Sequence, residues 1–211
     1  MMRKGAAFFA FAFFSSPLLS LVSVDPASWV GQYGAGKSPA QAAKDYWNAT
    51  DQWGREVDGY YHAFLHRDAD AAGRAFWIGR FDAGADEGTI IQGFLTSDEY
   101  TRAHAGDVPF VESLYQDVLN RSADVAGEQY WRGLLAAGAS HGEIAQGFLQ
   151  STEALARAAE SLYAAFLHRP GEVSGINFWV GELQSGRETL GQVAQAFLAS
   201  DEFYADSKKT R

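Results

Sequence analysis

The feature that most constrains this chain is a repeat. Three segments of the sequence superpose with almost no gaps. The first runs from Tyr61 through Arg67 to Phe94, Ser97 and Glu99. The second runs from Tyr115 through Arg121 to Phe148, Ser151 and Glu153, and the third from Tyr163 through Arg169 to Phe197, Ser200 and Glu202. Between these ends lie Gly73, Gly127 and Gly175, then Trp77, Trp131 and Trp179, each at the same offset from its arginine. A period of roughly fifty residues belongs to helical arrays, where one unit cannot bury its apolar face alone and its neighbours complete the core.

Within a copy the apolar residues follow helical periodicity. Val111, Leu114, Tyr115, Val118 and Leu119 fall on one helix face; Tyr130, Trp131, Leu134 and Leu135 share another, and Ile144, Ala145, Phe148 and Leu149 a third. Each copy therefore reads as three helices. Ser140 and Glu143 have capping-box spacing, Asp70 and Asp124 stand where they can cap the middle helix, and Gly138 sits where that helix should end. No segment alternates with period two. The expected fold is all-α, an array of three tandem three-helix repeats with an extra N-terminal helix. The copies are placed at 60–104, 105–154 and 155–204, behind an N-terminal helix or cap at 38–59 that Pro39 opens, with a tail at 205–211. Ala43, Tyr46, Trp47 and Thr50 form the inward stripe expected of that N-terminal helix.

The start of the chain has a different character. Met1-Met2-Arg3-Lys4 is a short basic stretch, followed by an apolar run from Gly5 to Val24 that resembles a secretory signal. The expectation is a signal peptide over 1–23, cleaved near Ser20 or Ser23, then a Gly-rich linker over 24–37. The exported part is acidic, since the whole chain carries a formal charge of -9 and the leader's only charged residues, Arg3 and Lys4, are basic. That charge disfavours nucleic acid, which requires a basic face. The absence of cysteine excludes disulfides, thiolate chemistry and Cys-ligated zinc.

The combined pattern Leu-Tyr-x4-Arg, Asp-x2-Gly-x2-Tyr/Phe-Trp, Gly, then Phe-Leu-x-Ser-x-Glu-Phe/Tyr resembles the bacterial domain-of-unknown-function family 4214. Leu114-Tyr115 through Glu153 is the cleanest match, and the three copies cover Tyr60 to about Phe203. The resemblance implies a small helical module related in fold to the phycobilisome linker domain, common in exported or surface-associated bacterial proteins. It implies no established activity. The Gly-Gly-x-Gly-x-Asp calcium repeat that often accompanies such modules is absent from the sequence. Arg80 stands where the second copy has Leu134, and Pro170 and Glu172 enter the middle helix of the third copy.

Several local patterns invite a chemical reading. Gly31 to Ser38 satisfies G-x4-G-K-[ST], the phosphate-cradling loop, yet no apolar strand precedes it and no second strand could place a magnesium-binding acid. It reads as a linker running into the Ser38-Pro39 helix start. Asp68-Ala69-Asp70 imitates a calcium loop, but Ala72 and Gly79 occupy positions that need oxygen ligands, so helix capping explains the acids. His62 and His66 have the spacing of a zinc-binding helix face but lack a clear fourth ligand. No catalytic, cofactor-binding or metal-ligating residue is nominated, and no cofactor is expected. The repeated tryptophans read as core, leaving Trp29, Trp47 and Trp53 as aromatics outside the repeat register. The expectation is a non-enzymatic, exported interaction or scaffold module. It would be secreted, periplasmic or on the cell surface, with an envelope or extracellular protein as partner. The alternatives are a carbohydrate-binding module using the non-repeated tryptophans and, third, a P-loop nucleotide-binding protein.

Overall fold

The structure is a computed structural model that describes residues 36–47 and 50–209. The apolar start, Trp29 and Gly31 to Ala35 lie outside the described residues, as do the side chains of Tyr46, Trp47 and Thr50. Among the described residues every regular element is a helix, and none is long and apolar enough to cross a membrane.

The N-terminal helix is α1 (Pro39–Trp47). The Ser38 hydroxyl accepts from the Gln41 N–H at 3.3 Å, satisfying one of the free donors at the helix start. The first copy comprises α2 (Thr50–Leu65), α3 (Ala71–Asp82), α4 (Glu87–Leu95) and α5 (Asp98–Ala103). The second comprises α6 (Asp107–Asp117), α7 (Val125–Ala136) and α8 (His141–Leu149) and runs into α9 (Thr152–Leu167). The third continues through α9 with α10 (Val173–Gln184), α11 (Leu190–Leu198) and α12 (Asp201–Lys209). The three helices read from each copy are present, and a fourth helical turn closes each one. Between copies one and two, Gly106 at φ 102° stands at the N-cap of α6 and separates it from α5. The run Thr152 to Leu167 holds neither Gly nor Pro, so the closing turn of copy two and the opening helix of copy three fuse into α9.

Capping residues set where these helices begin. Asp70 and Asp124 each accept from the backbone N–H three residues on, Gly73 and Gly127, at 2.9 Å. Ser140 with Glu143 and Thr189 with Gln192 form complete capping boxes. Gly84, Gly138 and Gly186 end the middle helices with positive φ, the conformation that a residue without Cβ adopts without strain.

The core lies on the third helices. Ile90, Ile91, Phe94 and Leu95 of α4, Ile144 and Phe148 of α8, and Val193 and Phe197 of α11 are buried. Helix α4 packs on both α8 and α11, so the three copies meet through these helices. Helix α1 packs on α11, bringing the beginning of the described chain against its last copy. Ala42 and Ala43 are fully buried there, and their small side chains allow two helix axes to approach closely.

Candidate functional site

The repeated residues assemble one polar clamp per copy. At the end of each first helix the chain enters the left-handed region at His66 (φ 52°), Asn120 (φ 45°) and His168 (φ 52°). Arg67 and Arg121 donate their backbone N–H to the carbonyls of Tyr61 and Tyr115, six residues back, at 3.4 and 3.1 Å. This turn aims the arginine side chain across the copy. Arg121 meets Glu153 in a two-pronged pair, Nε to Oε1 at 2.7 Å and Nη2 to Oε2 at 2.8 Å. Its Nη1 reaches the Ser122 carbonyl at 3.0 Å and Asp124 at 3.3 Å, and the guanidinium lies 4.7 Å from the Tyr115 ring centre. Arg67 repeats this with Glu99, Asp70 and Tyr61. Arg169 does so with Glu202, Glu172 and Tyr163. The paired guanidiniums hold the Glu99 and Glu153 carboxyls below the usual carboxylate range. The Gly73 and Gly127 N–H groups do the same first of all for Asp70 and Asp124.

The other repeated residues support this clamp. Ser97, Ser151 and Ser200 accept from the N–H at the start of the closing helix and donate to the carbonyl of Phe94, Phe148 or Phe197. The tyrosine rings stand edge-on to those phenylalanines at 5.1, 4.9 and 4.8 Å. A Cβ at Gly73, Gly127 or Gly175 would run into the tyrosine hydroxyl of its own copy. Trp77 and Trp131 stack on Phe94 and Phe148 at 4.6 and 4.5 Å. In the third copy Ala196 stands where Gly93 and Gly147 let the indole approach, and Trp179 is 5.6 Å from Phe197. All three indoles are only partly buried, lids on the core rather than members of it.

The other sequence candidates divide. His66 leaves the helix in its left-handed turn, so it does not share a face with His62, whose Nε2 is 3.3 Å from Asp68 Oδ1. Asn and His alternate at this turn because both tolerate positive φ better than most side chains. Among the described residues no group of three His, Asp or Glu is arranged to hold a metal. Lys37 forms an ion pair with Asp45 at 2.6 Å and Ser38 caps α1, which ties both phosphate-loop residues to that helix. Trp53 is buried and stacks on Phe81 at 4.5 Å with the rings 4° apart, so it is not a free surface aromatic.

Four further features stand outside the clamps. A cleft of about 370 Å³ opens where the copies meet, lined by Glu87, Gln92, Gln146, Leu155, Leu183 and Thr189 among others. Behind it Glu56 is fully buried, with Gln52 Nε2 donating to its Oε1 at 3.2 Å, and burial and the nearby Glu87 push its carboxyl well up. Between the first two copies Tyr100 bridges Ser113 at 2.9 Å and Asp117 at 2.7 Å, and burial raises the Asp117 carboxyl. Ser113 also donates to the Phe110 carbonyl at 2.8 Å, which makes it a structural link. Finally, Phe76, Tyr130 and Phe178 are 56, 61 and 56% exposed, each one residue before a repeated tryptophan. The sequence pattern carries this Tyr/Phe position, but its apolar stripe placed Tyr130 on one face with Trp131, Leu134 and Leu135, whereas the structure turns Tyr130 outward while those three are partly buried.

No curated protein and no solved structure matches this chain. A family model described as "Domain of unknown function (DUF4214)" matches over 55–104, 101–158 and 159–207, each match containing one arginine–glutamate clamp. By those three matches the chain belongs to the DUF4214 family.

Proposed function

We propose that this chain is a non-enzymatic interaction or scaffold module that acts in the bacterial envelope or exterior. The observation that carries this reading is how the repeated polar groups are used. Within each copy the arginines are bonded to their carboxylates, and the capping serines to backbone carbonyls. Charged groups engaged in holding helices together are not poised to move protons or attack a substrate. What the copies have in common at the surface is the outer side of the middle helix with its exposed aromatic. A rigid body that displays one feature several times suits binding better than reaction.

Export rests on the basic-apolar leader and the acidity of the remainder. The test is expression of the full chain in a Gram-negative host, followed by fractionation and intact-mass measurement. The same host carries a photo-crosslinking residue at position 130. Export predicts a product processed near Ser20 or Ser23 outside the cytoplasm, and interaction predicts adducts from position 130 that are absent when the probe is at buried Phe148. A full-length cytoplasmic product without adducts overturns the reading.

A further inference from the structure

We infer that the outer faces of α3, α7 and α10 are three equivalent platforms for neutral polysaccharide, each receiving a sugar ring against its exposed aromatic. The inference rests on the interaction-module reading and names its ligand class. Each aromatic leans on the neighbouring tryptophan in a T-shaped contact, Phe76 on Trp77 at 5.0 Å, Tyr130 on Trp131 at 5.0 Å and Phe178 on Trp179 at 4.8 Å. The ring is therefore propped in place, which lowers the ordering cost when a ligand arrives. One turn later stand Gly79, Gly133 and Gly181, where an added Cβ would meet nothing within 4 Å.

These glycines are not explained by packing. A glycine inside a helix weakens it relative to alanine. Gly73, Gly127 and Gly175 of the same helices have a packing reason, because a tyrosine hydroxyl fills the space beside them. Gly79, Gly133 and Gly181 have open space in all three copies. One turn before each aromatic lies another small residue, Ala72, Ala126 or Ser174. The result is an upright aromatic with a backbone-level ledge on either side.

Charge and size select the occupant. The chain carries a formal charge of -9, while the exposed residues preceding the rings are Ala75, Gln129 and Asn177, all uncharged. Charges beside the rings do not share a sign: Arg80 lies one turn after Phe76, whereas Glu182 lies one turn after Phe178. Arg132 on the helix of Tyr130 is paired with Glu128 at 2.9 Å, so no cationic surface recurs on the three faces for an anionic polymer. A stable protein interface requires roughly 800 Å² per partner with a packed apolar centre, and one ring set among Ala and Gly does not supply that centre. A hexopyranose needs less. Its axial C–H face packs on one aromatic ring, the Gln129 and Asn177 amides of the second and third platforms are placed to bond its rim hydroxyls, and the flat ledge admits the adjoining ring. A polymer that engages more than one platform gains by multivalency.

The test is affinity electrophoresis of the full chain through gels containing a soluble β-1,3-glucan, a xyloglucan, a galactomannan or dextran, with alginate as the anionic contrast. Retardation by at least one neutral polymer is expected. Tyr130→Ala should weaken it roughly tenfold through lost multivalency, and the triple variant Phe76→Ala, Tyr130→Ala, Phe178→Ala should abolish it. Gly133→Gln separates binding from folding, since it should raise the Tm through helix propensity yet weaken retardation by covering the ledge. No retardation by any neutral polymer, retardation by alginate alone, or an unaffected triple variant each overturns the inference. Sedimentation that reveals self-association lost in the triple variant assigns the faces to a second copy. That overturns the glycan assignment and leaves the interaction-module reading standing.

Discussion

Truncating Arg121 would leave Glu153 only the longer pair with Arg157 at 3.6 Å and remove the cation from above the Tyr115 ring, because the Arg121 side chain joins three helices of its copy. Both partners are about one-third exposed, so solvent screens the pair, yet its two-pronged geometry places it at the upper end for such contacts. A double-mutant cycle with Arg121→Ala and Glu153→Ala should give a coupling of about 1 kcal/mol in urea denaturation. A coupling indistinguishable from zero would show that the contact contributes nothing to stability. Gly127→Ala is a sharper probe, because the new methyl meets the Tyr115 hydroxyl. It should destabilise by about 1–3 kcal/mol, as overpacking does, and Tyr115→Phe in the same chain should recover part of the loss. The arginine–glutamate partnership is legible in the sequence, since both residues recur at nearly constant spacing in every copy. The tyrosine hydroxyl over the glycine is not legible, because it depends on how two helices cross.

Periodicity reveals a helix more readily than it reveals which side of a residue faces water. The apolar stripes placed three helices in each copy, and the capping residues marked their starts. The closing turns were visible only as the motif Ser-x-Glu, which is in fact the N-cap and first turn of a further helix. The docking of α1 on α11 leaves no local pattern at all, since it joins residues at opposite ends of the described chain. The repeated tryptophans show the same limit. Their register suggests full burial, whereas Trp131 is a partly buried lid stacked on Phe148. Trp131→Ala should therefore cost about 2 kcal/mol, less than the 3–5 kcal/mol of a fully buried aromatic. Phe148→Ala should fall in that larger range, and equal losses in the two variants would contradict the lid arrangement.

Across the whole molecule, two sets of carboxylates oppose one another as pH changes. Glu99 and Glu153 are held low by their arginines, and Asp70 and Asp124 by backbone N–H groups. Their folded pKa lies below the unfolded value near 4, so their stabilisation is present above that value and is lost as pH falls through the folded pKa. Glu56 behaves in the opposite sense. Burial, then Glu87, raises its folded pKa above the unfolded value. Its contribution is thus complete below about pH 4 and is lost as pH rises through the folded pKa, where a charge must form in the interior. Asp117 is raised by burial and adds to this second limb, although its bond from Tyr100 offsets part of the shift. A formal charge of -9 adds self-repulsion in the same direction. Stability should peak on the acid side of neutrality and decline toward alkaline pH. Urea midpoints between pH 3 and 9 check the curve, and Glu56→Gln assigns its alkaline limb. The amide keeps an acceptor for Gln52 and cannot ionise, so the variant should gain on the parent as pH rises while its acid limb stays unchanged. Parallel curves for parent and variant across this range would place the alkaline loss elsewhere than in the buried carboxyl between α2 and α4.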